Sequence, residues 1–294
     1  MNELLTVNWS ITTKCNYNCY YCYSHYDYNH LSYDISDKLI NVTLFKLKQL
    51  KNPQRMIILG GEPTMCNRLN YISEEALTFC EDVVVVTNGS NLNVIRSLSD
   101  KLSINLSYHG QEVNSFINLI KDIQKSHYIE ISCVLDPKRI NEIIALCSWC
   151  KDNNVVLEIL PMVNNETQLS EFYDDSLLDK LHSDVYYYNN HMDMFNNGEI
   201  TCLDVYKHCR DYIKTQQFKV CNQTSITISA DGIYNPTCFT GQKYYRCHIE
   251  DNNALKYKLV CREPYCLYNR GAKDLSGWRQ SPKQKKYWNT LCKQ

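Results

Sequence analysis

The chain has 294 residues, of which 44% are hydrophobic and 21% charged, enough to bury the core of one large domain or of one domain with a small appendage. A formal net charge of -1 gives no electrostatic footprint for nucleic acid or an anionic membrane, and no apolar run reaches the roughly 20 residues of a bilayer span. No signal-peptide pattern is visible over residues 1–9, so the sixteen cysteines are expected in a reducing cytoplasm, where ligation, catalysis or burial explains thiols better than a disulfide framework.

Residues 4–11 are predicted to form a strand, with Val7, Trp9 and Ile11 alternating with smaller or polar residues. Residues 36–50 carry apolar side chains at helical spacing (Leu39, Ile40, Leu44, Leu47), with Ser36 as N-cap. A short strand over 56–59 stops at Gly60-Gly61. A helix over 74–80, a strand over 83–86 ended by Asn88-Gly89, a helix over 92–98 and a strand over 102–107 follow. The pattern then predicts a helix over 113–123, a strand over 129–135, a helix opened by Pro137 and running to 151, and a sixth strand over 155–160. Strands alternating with helices across short connections indicate a parallel α/β arrangement, and the functional site of such a fold lies beyond the C-terminal ends of its strands.

The alternation fails after Pro161. Residues 164–197 are polar and rich in Tyr and Asn, and are expected to bridge to a cysteine-dense segment containing a hairpin: 225–229, a turn at Asp231-Gly232, then 233–238. Cys147 and Cys150 share one face of a predicted helix and are expected to pack against the sheet. Cys66, Cys80 and Cys133 are expected in the core.

The loop after the first strand contains Cys15, Cys19 and Cys22 at C-x3-C-x2-C spacing, with Tyr21 before the last cysteine. Thiolates are the usual ligands of iron–sulfur clusters, and a loop this short can offer three sulfurs while leaving a fourth iron open. Zinc would need a fourth protein ligand close by. The pattern resembles that of the radical S-adenosylmethionine (SAM) superfamily, C-x3-C-x-aromatic-C. The resemblance implies a [4Fe-4S] cluster on Cys15, Cys19 and Cys22, with SAM chelating the fourth iron. It also implies reductive cleavage of SAM to methionine and a 5'-deoxyadenosyl radical that abstracts hydrogen from a substrate, and an incomplete (β/α)6 barrel over about residues 1–163.

Gly60-Gly61-Glu62-Pro63, one strand later, matches that family's glycine-glycine-glutamate motif. The glycines let a backbone approach closely, and the match implies that Gly60, Gly61 and Glu62 bind the SAM amino group. Tyr21, Asn88 in Thr87-Asn88-Gly89, and Ser107 at the end of the fourth strand are further SAM contacts by resemblance, and 157–160 lies where a sixth strand would meet adenine. His109 either faces the site or simply ends its strand.

Residues 201–294 resemble the twitch domain, the shorter relative of the SPASM extension, which implies one auxiliary [4Fe-4S] cluster on Cys221, Cys238, Cys261 and Cys266. The final pair is C-x4-C rather than C-x2-C, and Cys247 and Cys292 are also available. Cys202 and Cys209 are candidate hydrogen donors to a substrate radical. The resemblance points first to a ribosomally made peptide as substrate, epimerised or crosslinked, although no leader-binding module is visible before Val7. A dehydrogenase or isomerase of a small molecule or nucleotide is the second expectation, and a non-catalytic zinc- or cluster-binding module is the alternative of another class. An electron donor such as flavodoxin or ferredoxin would supply the reducing electron.

Overall fold

Runs of β-branched and aromatic residues become six parallel strands: β1 (Leu5–Ser10), β2 (Gln54–Leu59), β3 (Asp82–Thr87), β4 (Ser103–Tyr108), β5 (Tyr128–Leu135) and β6 (Val156–Pro161). They are joined by α1 (Asp37–Lys48), α2 (Leu69–Leu77), α3 (Leu92–Ser97), α4 (Val113–Ile123) and α5 (Ile140–Asp152). The computed structural model describes residues 5–22, 32–50, 54–161, 225–235, 247–252 and 254–255.

The strand order β6-β5-β4-β3-β2-β1 adds each strand on the same side of the one before. Right-handed crossovers then put every helix on one face and curl the sheet, which is barrel winding rather than double winding. Among the described residues β6 pairs with β5 alone, so the barrel is incomplete. The expectation of a partial (β/α)6 barrel holds.

Alternation divides the strands between two environments. Val7, Trp9, Met56, Ile58, Val83, Val85, Ile104, Leu106, Ile131 and Leu157 are buried in one core with helix residues such as Ile40, Leu47, Ile72, Phe116 and Ile120. The residues between them on the other face are largely polar: Thr6, Arg55, Asp82, Asn105, Glu130 and Ser132. Arg55 bridges two of these acids, with Nε 3.0 Å from Asp82 and Nη2 3.8 Å from Glu130. A polar inner face differs from the branched aliphatic filling of a complete barrel.

Ser36 caps α1 as expected, accepting from the N–H of Leu39. Helix α2 begins five residues before the predicted helix at 74, after a 3-10 turn at Pro63–Met65. Its buried Leu69, Ile72, Ser73 and Ala76 complete a stripe that includes a serine, and an apolar count misses it. The predicted hairpin forms as β7 (Ser225–Ile228) and β8 (Ile233–Asn235), followed by β9 (Cys247–His248). It does not stand alone. β7 runs parallel to β1, with Val7 opposite Ile226, so this hairpin extends the barrel sheet itself.

Candidate active site at the C-terminal ends of the strands

Cys15, Cys19 and Cys22 lie on the loop leaving β1, Cys15 exposed and the other two half-buried. The loop is held down by the glycines that follow β2. Gly61 N–H donates to Thr12 O at 2.8 Å and Glu62 N–H to Lys14 O at 2.7 Å, carrying the β1–β2 pairing past the ends of both strands. A Cβ on Gly61 would lie 2.2 Å from Lys14 O, and one on Gly60 2.5 Å from Thr12 O. The close approach these glycines permit is therefore to the cysteine loop itself. On its other side Thr12 Oγ1 and Lys14 Nζ both donate to Asp34, at 2.7 and 2.8 Å.

Glu62 was expected to accept from an ammonium group. It is buried, and its carboxylate accepts from four protein donors. Oε1 takes Thr64 N–H (3.0 Å), Thr64 Oγ1 (2.7 Å) and Thr87 Oγ1 (2.6 Å), while Oε2 takes Asn88 N–H (2.7 Å). The side chain ties the end of β2 to the end of β3. Asn88 likewise spends its amide within the protein: Nδ2 donates to Asn16 Oδ1, and Oδ1 accepts from Ser90 N–H, each at 2.9 Å. Asn16 sits beside Cys15, so this bond fixes the cysteine loop against β3. Ser107 faces the polar inner side, with its Oγ 3.2 Å from Ser132 Oγ, which donates to Asn105 at 2.8 Å.

Tyr21 stacks on His109, with ring centroids 6.2 Å apart and an 18° interplanar angle. Nδ1 of His109 lies 3.1 Å from Tyr21 Oη and 3.5 Å from Cys19 Sγ. Burial lowers the His109 pKa to about 4, so the imidazole is neutral at physiological pH. The Cys15 and Cys19 thiols are raised, first by burial and in part by the charges of their fellow cysteines. A cavity of about 500 Å³, lined by Asn16–Tyr21, His109, Asp136 and Arg139, opens here, within the size range of small-molecule sites. Sequence reasoning left His109 undecided and missed Asp136 and Arg139. Their signal was position, directly after β4 and β5.

Among the described residues no three His, Cys, Asp or Glu side chains converge tightly enough to hold a single metal ion. The three loop thiols are nonetheless close enough for their charges to interact. A set of three thiols is the donor chemistry of an iron–sulfur cluster, whereas a closed zinc site takes a fourth protein ligand. Cys147 and Cys150 are buried in the core with Cys66 and Cys133, and Cys80 is half-buried against it. Cys202, Cys209, Cys221, Cys238, Cys261 and Cys266 lie outside the described residues.

No family model matches the chain. It is 24% identical over 199 residues to a probable GTP 3',8-cyclase of Methanocaldococcus jannaschii, covering 58% of this chain and 63% of that protein. A SAM-dependent nucleotide dehydratase of a Fibrobacter species is 30% identical over 100 residues, 32% of this chain and 30% of the other. The chain thus spans less than two thirds of the length of these curated relatives. Among solved structures, SAM-bound SuiB of Streptococcus suis superposes with a TM-score of 0.58 at 15% identity, over 85% of this chain and 64% of SuiB. The structure of anSMEcpe with SAM and a peptide gives 0.57 at 15% identity, over 96% and 86%. The chain is thus similar in part of its sequence to a probable GTP 3',8-cyclase and a SAM-dependent nucleotide dehydratase, and shares its fold with SuiB and anSMEcpe. In this chain Cys15, Cys19 and Cys22 stand on the loop beyond the C-terminal end of β1. No helix among the described residues is long and apolar enough to cross a membrane.

Proposed function

We propose that this protein is a radical SAM enzyme that cleaves SAM reductively and abstracts hydrogen from its substrate. The observation that carries the reading is the three-cysteine loop, docked by Gly60-Gly61-Glu62 at the C-terminal mouth of the barrel and beside the cavity. When bound, the [4Fe-4S] cluster and SAM supply the one-electron chemistry that yields a 5'-deoxyadenosyl radical. The chain supplies position. Cys15, Cys19 and Cys22 hold iron, Glu62 and Asn88 fix the loop that bears them, and Tyr21 and Ser107 line the region expected to take SAM.

A peptide is the substrate this reading favours. Its support is the likeness to SuiB, solved with its precursor peptide SuiA, and to anSMEcpe, solved with a peptide. A nucleotide is the second reading, because both curated relatives are named for nucleotide chemistry. The cysteines of 201–294 would carry one auxiliary [4Fe-4S] cluster in a twitch-like domain, with 164–200 as the bridge from the barrel at 1–163. The proposed cellular setting is a reducing cytoplasm with a flavodoxin or ferredoxin as electron donor.

The test is anaerobic reconstitution with iron and sulfide, then SAM and dithionite, with 5'-deoxyadenosine measured by mass spectrometry. Wild type should form it and the C15A/C19A/C22A variant should not. Deoxyadenosine from the triple variant, or a zinc-loaded wild type that leaves SAM intact, would overturn the reading. Adding peptides encoded beside the gene, or nucleoside triphosphates, should stimulate product formation with one class and so choose between the substrates. The C221A/C238A variant should lose roughly four iron atoms per chain, one cubane's worth.

A further inference from the structure

His109 is held more firmly than a strand-end histidine requires. Its N–H donates to Gln111 Oε1 at 2.8 Å, and its carbonyl accepts from Arg139 Nη1 at 3.1 Å. Tyr21 stacks on one side of the ring, and Tyr17 meets it edge-on at 5.8 Å. Gln111 Nε2 reaches both Tyr17 Oη and Asn88 O, at 3.4 Å each, so this frame is continuous with the cysteine loop. The frame aims Nδ1 at two atoms: the Tyr21 hydroxyl and the Cys19 sulfur. The Tyr21 hydroxyl and the Cys19 thiol thus sit side by side against one nitrogen, 3.1 and 3.5 Å from it. Cys15 is placed differently, its sulfur accepting from the backbone N–H of Tyr17 at 3.4 Å.

Resting on the cluster assignment above, we propose that His109 and Tyr21 form a hydrogen-bond relay onto the Cys19 sulfur that raises the reduction potential of the cluster it ligates. Nδ1–H of His109 donates to Tyr21 Oη, and the Tyr21 hydroxyl donates to the Cys19 thiolate. His109 is a positioning residue acting through Tyr21. Reduction places added negative charge on the cluster and its sulfurs, and a hydrogen bond to a ligand sulfur stabilises that charge. Polarisation along the relay strengthens the terminal bond. A histidine ring can carry a proton on Nδ1, the arrangement the relay needs.

The experiment is a redox titration of the reconstituted full chain, following the electron paramagnetic resonance signal that SAM perturbs, with iron counted on each sample. Y21F deletes one oxygen, and H109F keeps a stacking ring. Each should load iron as wild type does, with the ratio of reduced to oxidised cluster at a fixed poise falling about tenfold, about 59 mV for a one-electron couple. The double variant should fall little further, because both substitutions break one relay. Wild-type potentials with full iron in Y21F would overturn the relay. Loss of iron from Y21F would also overturn it, by showing that the hydroxyl retains the ligand rather than tuning it. A wild type that binds no cluster would instead refute the cluster assignment beneath.

Discussion

Glu62 Oε2 accepts the backbone N–H of Asn88 at 2.7 Å, joining the turn after β2 to the turn after β3 across 26 residues of chain. With Thr64 and Thr87 on the other oxygen, a fully buried carboxylate becomes the knot between the two turns that flank the cysteine loop.

Glu62→Gln should therefore act on stability as well as on SAM. The amide brings two N–H donors into a site already crowded with donors, and its loss of charge weakens every bond it still accepts. The expected cost is about 3 kcal/mol, read as a lower denaturation midpoint in urea. Thr87→Val removes one donor and should cost about 1 kcal/mol. A Glu62→Gln protein as stable as wild type, with only SAM affinity reduced, would return the carboxylate to the ammonium role.

Gly61→Ala tests the docking of the loop. The new methyl would meet Lys14 O at 2.2 Å and Thr13 O at 2.8 Å. Both are backbone atoms, and Lys14 O is held by the N–H of Glu62, so the loop must lift. Overpacking of this kind costs about 1–3 kcal/mol, and the reconstituted variant should retain less iron than wild type under chelator challenge. Equal retention would mean that the cysteines do not depend on this contact.

Thiol labelling separates ligand cysteines from core cysteines. In native protein without iron, Cys15 should alkylate before the core cysteines, because it is exposed. Cys133, Cys147 and Cys150 are buried. Burial pushes the Cys150 thiol up to about 12 and raises Cys133 as well, so almost no reactive thiolate exists at pH 8. Peptide mapping after brief treatment with iodoacetamide should find Cys15 modified and these three intact. Labelling of Cys150 at the rate of Cys15 would contradict the packing, and iron loading should protect Cys15.

Much of the barrel was legible because its signals are local. Helix α4 matches its predicted span at both ends, Val113 and Ile123, since strong amphipathic spacing marks both faces. Helix α2 was misplaced because Ser73, polar by type, is buried with Leu69, Ile72 and Ala76. For the site, the cysteine spacing and the glycine pair were visible as motifs. The partners of Glu62 and Asn88 were not, since a motif names a residue without saying which donors its side chain will meet.

The sequence by itself determined the alternation of strands and helices, the placing of Cys15, Cys19 and Cys22 after the first strand, and the turn at Asp231-Gly232. Each depends on chemistry within a few residues, which periodicity and turn preference record. Only the tertiary structure decided that the hairpin joins β1 as part of the barrel sheet, and that His109 meets Cys19 from 90 residues away. Those contacts arise because parallel winding brings the C-terminal ends of distant strands together, and no local pattern encodes which side chains will face one another there.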